Sequence, residues 1–87
     1  MKRELTFFYL KHCPYCKKAN EFLAELLRDP KYSDIEINRI EENENADIAS
    51  QYEYFYVPCF YLGNNKLFEG APTLDDIKMA LDKTIEE

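Results

Sequence analysis

No apolar run in this chain approaches the ~20 residues that a membrane-spanning helix needs. The short one near the N-terminus is broken by Glu4, Lys11 and His12, unlike a secretory leader. Basic charge is also in short supply: 11 Lys and Arg stand against 17 Asp and Glu, a formal net charge of −6. Such a surface repels phosphate backbones and anionic lipid headgroups, so neither nucleic acid nor membrane is expected as a partner. Cysteine is scarce, and its three copies are an odd number too small to staple a secreted mini-domain. In a reducing compartment Cys13, Cys16 and Cys59 read instead as catalytic or metal-binding thiols, and a cytoplasmic location is expected. Repeats, linkers and low-complexity tracts are missing. A chain of 87 residues encloses only one core, so residues 1–87 are expected to form a single domain, and a two-domain enzyme is excluded.

What is present is a clear order of elements. Residues 4–10, ELTFFYL, are apolar on both alternating sets, the pattern of a central strand covered on both faces. Ala19, Phe22, Leu23, Leu26 and Leu27 then recur at helical spacing, predicting a helix from about Pro14 to Arg28 that stops at Asp29-Pro30. In DIEINRI the alternation of Ile35 and Ile37 with Glu36 and Asn38 predicts a second strand. A shorter helix is expected over about Asn45 to Tyr52, with Asn45 as cap and Ala46, Ile48, Ala49 and Tyr52 facing inward. VPCFYL and KLFEG read as an antiparallel hairpin joined through GNN, residues that tolerate φ > 0. Thr73 and Asp76 form a capping-box-like start for a last helix, whose inner stripe is Ile77, Ala80, Leu81 and Ile85. The order β-α-β-α-β-β-α implies an α/β fold: a four-stranded mixed sheet with helices on both faces.

The chemistry is concentrated in LKHCPYCKKA, residues 10–19. Between the first strand and the first helix, Cys13 falls at a helix N-terminus, where unpaired N–H groups and the macrodipole favour an anion such as a thiolate. Lys11, His12 in its protonated form and Lys17 add positive charge nearby. Pro14 suits the first helical position, because its missing N–H would have no partner there. Cys13 is therefore the expected nucleophile, and Cys16, one turn on and deeper, the resolving thiol; Tyr15 between them presents an amphipathic ring at the rim. A CxxC spacing alone is equally compatible with zinc, redox chemistry or incidental core thiols. The strand-CxxC-helix junction favours redox. A structural zinc site needs four ligands, and the chain offers three cysteines and His12 with no second CxxC, so no metal is expected.

With CPYC at this junction, the sequence resembles the glutaredoxin branch of the thioredoxin superfamily over nearly its whole length. The resemblance implies a thioredoxin-like fold, thiol–disulfide exchange on disulfide-containing proteins, and reduction by glutathione or a flavoprotein disulfide reductase, with no tightly bound cofactor. It further implies that Pro58 is in cis and faces the CxxC pair, leaving the backbone of Val57 to pair with an extended substrate. One stretch departs from the pattern. Glutaredoxins have a Gly-Gly pair followed closely by a Ser/Thr-Asp segment that holds the γ-glutamyl end of glutathione. In FEGAPTLDD only Gly70 of that pair remains, and EGAPTLDDI looks more like the Gly-Ala-x-Ser/Thr segment of thioredoxins. Gly70 is carried over as a substrate contact, while Thr73 and Asp76 read first as a helix cap. The alternatives are a thioredoxin-type reductase indifferent to glutathione, and a metal or iron–sulfur carrier using the same thiols.

Bland readings apply elsewhere. Cys59 reads as a small core residue ahead of a regulatory thiol. The aromatic run YEYFY, residues 52–56, reads as packing with polar tips at the edge. The acidic run EENENAD reads as a solvated loop and helix start, because it lacks the glycine and spacing of a calcium loop. The protein is expected to be a monomer.

Overall fold

In the computed structural model, which describes residues 3–86, ELTFFYL forms the inner strand β1 (Arg3–Tyr9). It runs parallel to β2 (Ile35–Glu41) and antiparallel to β3 (Cys59–Leu62), which pairs antiparallel with β4 (Asn65–Glu69), giving the order β2-β1-β3-β4. Leu5 and Phe7 face one side and Phe8 the other, all without exposure, which is why both alternating sets had to be apolar. Helix α1 (Pro14–Leu26) and the last helix, α3 (Leu74–Glu86), close the first side. Ala19, Leu23, Ile77, Ala80 and Leu81 pack there on Leu5, Phe7 and Phe60, with Tyr32 from a 3₁₀ turn at Pro30–Tyr32. Each fully buried Leu or Phe contributes roughly 1.5–3 kcal/mol relative to exposure.

The second side differs from expectation. Helix α2 (Ala46–Ala49) is a single turn, and of its predicted inner residues only Ala49 is buried; Ala46 and Ile48 face solvent. Asn45 stands at its cap position without a capping side-chain bond, because its amide donates to the Glu41 carbonyl instead. Tyr52 does face inward as expected, but from beyond the helix, and with Tyr54 it fills the space a longer helix would take. Tyr54 stacks on Phe8 at 4.9 Å between ring centroids, and Tyr52 meets Phe8 tilted at 4.8 Å. Cys59, Tyr61 and Ile40 complete this second core.

Smaller differences lie at element ends. Helix α1 stops at Leu26 rather than Arg28. The ladder of β3 starts at Cys59, because Pro58 has no N–H to donate. In the β3–β4 turn Gly63 alone takes positive φ, +62°, which suits a II′-type hairpin. The cap of α3 is as expected: the Thr73 N–H donates to Asp76 Oδ2 at 2.9 Å, and the Asp76 N–H donates back to Thr73 Oγ1 at 3.2 Å.

Candidate functional site

Strand β1 delivers the chain to the loop Leu10–His12, and the Cys13 N–H turns back to the Leu10 carbonyl at 3.3 Å. Cys13 is the N-cap of α1, with φ −94° and ψ 115°, and its Sγ accepts the Cys16 N–H at 3.2 Å. The sulfur thus occupies the place a capping oxygen usually takes, where a negative charge is stabilised. Pro14 occupies the first helical position as expected. Cys13 is half-buried, whereas Cys16 keeps only 2% of its surface. Burial, reinforced by the neighbouring Cys13 sulfur, pushes the Cys16 thiol up to about 12. The pair therefore holds one accessible sulfur at a helix end and one covered, protonated sulfur behind it.

Val57 and Pro58 lie against this pair. The peptide between them is cis, and the Val57 carbonyl is 3.9 Å from Cys13 Sγ. On the other side of the proline, the Pro58 carbonyl accepts the Gly70 N–H at 3.1 Å. Gly70 has φ +106°, a region closed to side chains, while the space a Cβ would enter is open. The glycine is needed for its backbone angle, which turns β4 into the Pro58 carbonyl.

The remaining rim residues divide. Tyr15 is 57% exposed beside the thiols, and His12 lies in the solvent-facing loop. Together with Leu10, Glu41, Asn43 and Glu44, residues Lys11 to Cys13 line a groove of about 430 Å³. Lys11 does not serve as the free cation expected beside Cys13: its ammonium pairs with Glu44, which raises its pKa, and its N–H donates to Glu41. The chain turns Lys11 toward the acidic segment after β2, across a separation in sequence that spacing alone does not reveal.

Three carboxylates near the site were not singled out in the sequence. Glu41 is 4% exposed although it belongs to the run read as solvated; its carboxylate accepts the N–H groups of Lys11, Asn43 and Glu44. Burial opposes its ionisation, but those three donors outweigh it and hold the carboxyl below the ordinary range. Glu42 accepts the Tyr54 hydroxyl at 2.7 Å. Glu69 accepts the N–H groups of Phe55 and Tyr56 at 2.8 and 3.1 Å. The aromatic run splits accordingly: Tyr52 and Tyr54 pack as expected, whereas Phe55 and Tyr56 are 87% and 67% exposed. Cys59 is fully buried in the second core, where burial pushes its thiol up to about 12. Among the described residues no three His, Cys, Asp or Glu side chains cluster in a way that holds a metal, and no helix is long and apolar enough to cross a membrane.

With this geometry in hand, comparison with known proteins is decisive at the family level, since the thioredoxin family model matches residues 2–84. This chain belongs to the thioredoxin family. A thioredoxin from Methanocaldococcus jannaschii is 26% identical over 84 residues, covering 97% of this chain and 98% of that one. Among solved structures, oxidised thioredoxin from Plasmodium falciparum superposes with a TM-score of 0.73 at 17% identity, covering 94% of this chain and 80% of that chain. A Malassezia sympodialis thioredoxin gives 0.76 at 17% identity, covering 95% and 75%. These structural likenesses speak for the fold, the α/β mixed sheet read from the order of elements. The glutaredoxin resemblance of CPYC is met at the level of the wider thioredoxin family.

Proposed function

We propose that this thioredoxin-family protein is a dithiol–disulfide oxidoreductase of the thioredoxin type, reducing disulfides in protein substrates without a binding site for glutathione. The observation that carries the first part is the sulfur arrangement: Cys13, partly exposed, has its Sγ accepting the Cys16 N–H at 3.2 Å, with Cys16 buried behind it. In the forward reaction the Cys13 thiolate attacks one substrate sulfur. The substrate S–S bond breaks as the Cys13–S bond forms, and the departing sulfur takes up a proton. Cys16 then attacks Cys13 Sγ and passes its proton to the second departing substrate sulfur. Two electrons have moved to the substrate, and the protein is left with a Cys13–Cys16 disulfide. Val57 and Pro58 offer their backbone to an extended substrate, with Pro14, Tyr15 and His12 shaping the rim and Gly70 fixing the Pro58 carbonyl. No metal or tightly bound cofactor enters these steps, and a pair of free thiols suits a reducing compartment such as the cytoplasm.

The preference for the thioredoxin type over the glutaredoxin type rests on Thr73 and Asp76. The groups by which a glutaredoxin would hold the γ-glutamyl end are here spent on each other: Asp76 Oδ2 accepts both the N–H and the hydroxyl of Thr73, each at 2.9 Å. A flavoprotein disulfide reductase is thus the expected electron donor. Two experiments test the reading. Cys13→Ser should abolish reduction of a protein disulfide, and Cys16→Ser should stop turnover at a trapped mixed disulfide; activity retained by Cys13→Ser reverses the assigned roles. Supplying electrons from thioredoxin reductase or from glutathione with glutathione reductase should give turnover only with the first, and turnover with glutathione alone restores the glutaredoxin-type reading.

A further inference from the structure

Glu69 is the last residue of β4, and its ladder partner is Cys59, the first residue of β3. One of its oxygens, Oε2, accepts two consecutive backbone N–H groups from a different segment, Phe55 at 2.8 Å and Tyr56 at 3.1 Å. The other oxygen is held by Lys66 Nζ at 2.7 Å. That segment has little else to fix it. Among the described residues, backbone N–H bonds of ordinary turn type end with Tyr52 donating to Ala49, and the next backbone anchor is the Gly70 N–H on the Pro58 carbonyl. Between them, the Glu53 carbonyl is held by the Tyr61 hydroxyl, and the only two N–H groups tied down are those on Glu69. Charge-assisted bonds to a carboxylate are about twice as strong as neutral ones. Tyr54 and Val57 pack in the second core on either side, and between them one carboxylate fixes the Phe55 and Tyr56 backbone.

The position of the restraint gives it meaning. Immediately after Tyr56 comes Val57, whose carbonyl lies 3.9 Å from Cys13 Sγ, and immediately after Glu69 comes Gly70, which fixes the Pro58 carbonyl. Phe55 and Tyr56 are themselves mostly exposed, placing two adjacent rings at the rim of the site. The segment is thus a bend at the edge of the site beside the nucleophile, flanked by the rings of Phe55 and Tyr56, and its two consecutive N–H groups are held from behind by one carboxylate.

We propose that Glu69 is a positioning residue that presents the Phe55–Val57 edge to an extended, apolar disulfide-bearing segment of a protein substrate, and so discriminates such substrates from small disulfides. The inference rests on the oxidoreductase reading above and names the substrate class of that site. Glu69 touches neither the reacting sulfurs nor the substrate; it acts through the backbone it holds. An extended substrate needs that edge in one geometry, whereas a small disulfide needs only the accessible Cys13 sulfur.

The test uses pre-reduced protein in single turnovers with two probes: cystamine, and a short two-chain peptide with apolar residues flanking its disulfide. Glu69→Ala should raise the half-saturating concentration of the peptide roughly tenfold with the limiting rate retained, leave the cystamine rate unchanged, and speed hydrogen exchange at the Phe55 and Tyr56 amides. Glu69→Gln keeps an oxygen acceptor and should recover most of the peptide affinity and amide protection. Equal losses on both probes in Glu69→Ala, no loss on the peptide, or a Gln variant as poor as Ala would each overturn the proposal while leaving the oxidoreductase reading intact. A wild-type protein that reduces neither probe overturns the oxidoreductase reading itself.

Discussion

One face of the sheet is closed by two thirteen-residue helices, whose Ala19, Leu23, Ile77, Ala80 and Leu81 lock onto Leu5, Phe7 and Phe60. The other is closed by a four-residue helix and the aromatic segment after it, where Tyr52 and Tyr54 lie over Phe8. The first is periodic, with aliphatic helix residues packed over a Phe7–Phe60 stack; the second is irregular, and its ring contacts are supported by hydroxyl-to-carboxylate and hydroxyl-to-carbonyl bonds from Tyr54 and Tyr61. A regular helix buries a stripe efficiently, but its backbone is fully engaged in its own bonds. Only the irregular face leaves backbone groups such as the Val57 carbonyl available beside Cys13. The comparison assigns most of the stability to the first face and the recognition surface to the second.

The sharpest way to break that division is to truncate each face in turn. Leu23 is fully buried on the first face, and Leu23→Ala should cost about 2–5 kcal/mol through lost transfer energy and the cavity left behind. Urea unfolding measures the loss, and alkylation of Cys13 in the molecules that remain folded should proceed at the wild-type rate. Tyr54→Ala removes a ring stacked on Phe8 at 4.9 Å and the hydroxyl bond to Glu42, at a smaller cost of about 1–2 kcal/mol. Per folded molecule, however, it should impair reduction of the peptide disulfide more than Leu23→Ala does, because Tyr54 leads directly into the Phe55–Val57 edge. If the two variants rank the other way on stability, or alike on peptide reduction, the division of labour between the faces is wrong.

The same contrast explains what could be read from the sequence. The stripe from Ala19 to Leu23 and from Ile77 to Leu81 is legible because a helix of several turns repeats its signal, and the doubly apolar Leu5–Phe8 run is legible because burial on both faces leaves no polar alternative. Cys13 and Cys16 are legible for the same local reason, since the strand before them and the helix after them fix a helix end at the first thiol. A single turn at Ala46–Ala49 has no repeat to betray its length, so spacing points Ile48 at a core that Tyr52 and Tyr54 fill instead. Glu41 and Glu69 escape, and Lys11 reads in the wrong role, for a different reason. Each takes its meaning from a partner brought close only by the folded sheet: Lys11 and Glu41 across the β1–β2 end, Glu69 across to the Phe55 loop. Charge in a sequence shows its sign but not its partner.

The smallest expected effect sharpens the comparison through pH. On the first face the Tyr32 hydroxyl donates to Asp82 Oδ1 at 2.5 Å, and Lys78 pairs with Oδ2 at 3.1 Å. These partners, the hydroxyl foremost, hold the Asp82 carboxyl below its ordinary value of 3.8. Because the folded value lies below the unfolded one, the stabilisation is complete above the unfolded value and is lost as pH falls through the folded one. Asp82→Asn should therefore be less stable than wild type near neutral pH by only about 0.5–1 kcal/mol, given the partial exposure of the pair. The gap should close as pH drops below about 4. Urea midpoints followed from neutral to acidic pH read both numbers. Reduction of the peptide disulfide at neutral pH should be unchanged in this variant, because Asp82 braces α3 and the 3₁₀ turn on the face away from the Val57 edge. A loss of peptide reduction without a matching loss of stability would show that the first face reaches the thiols after all.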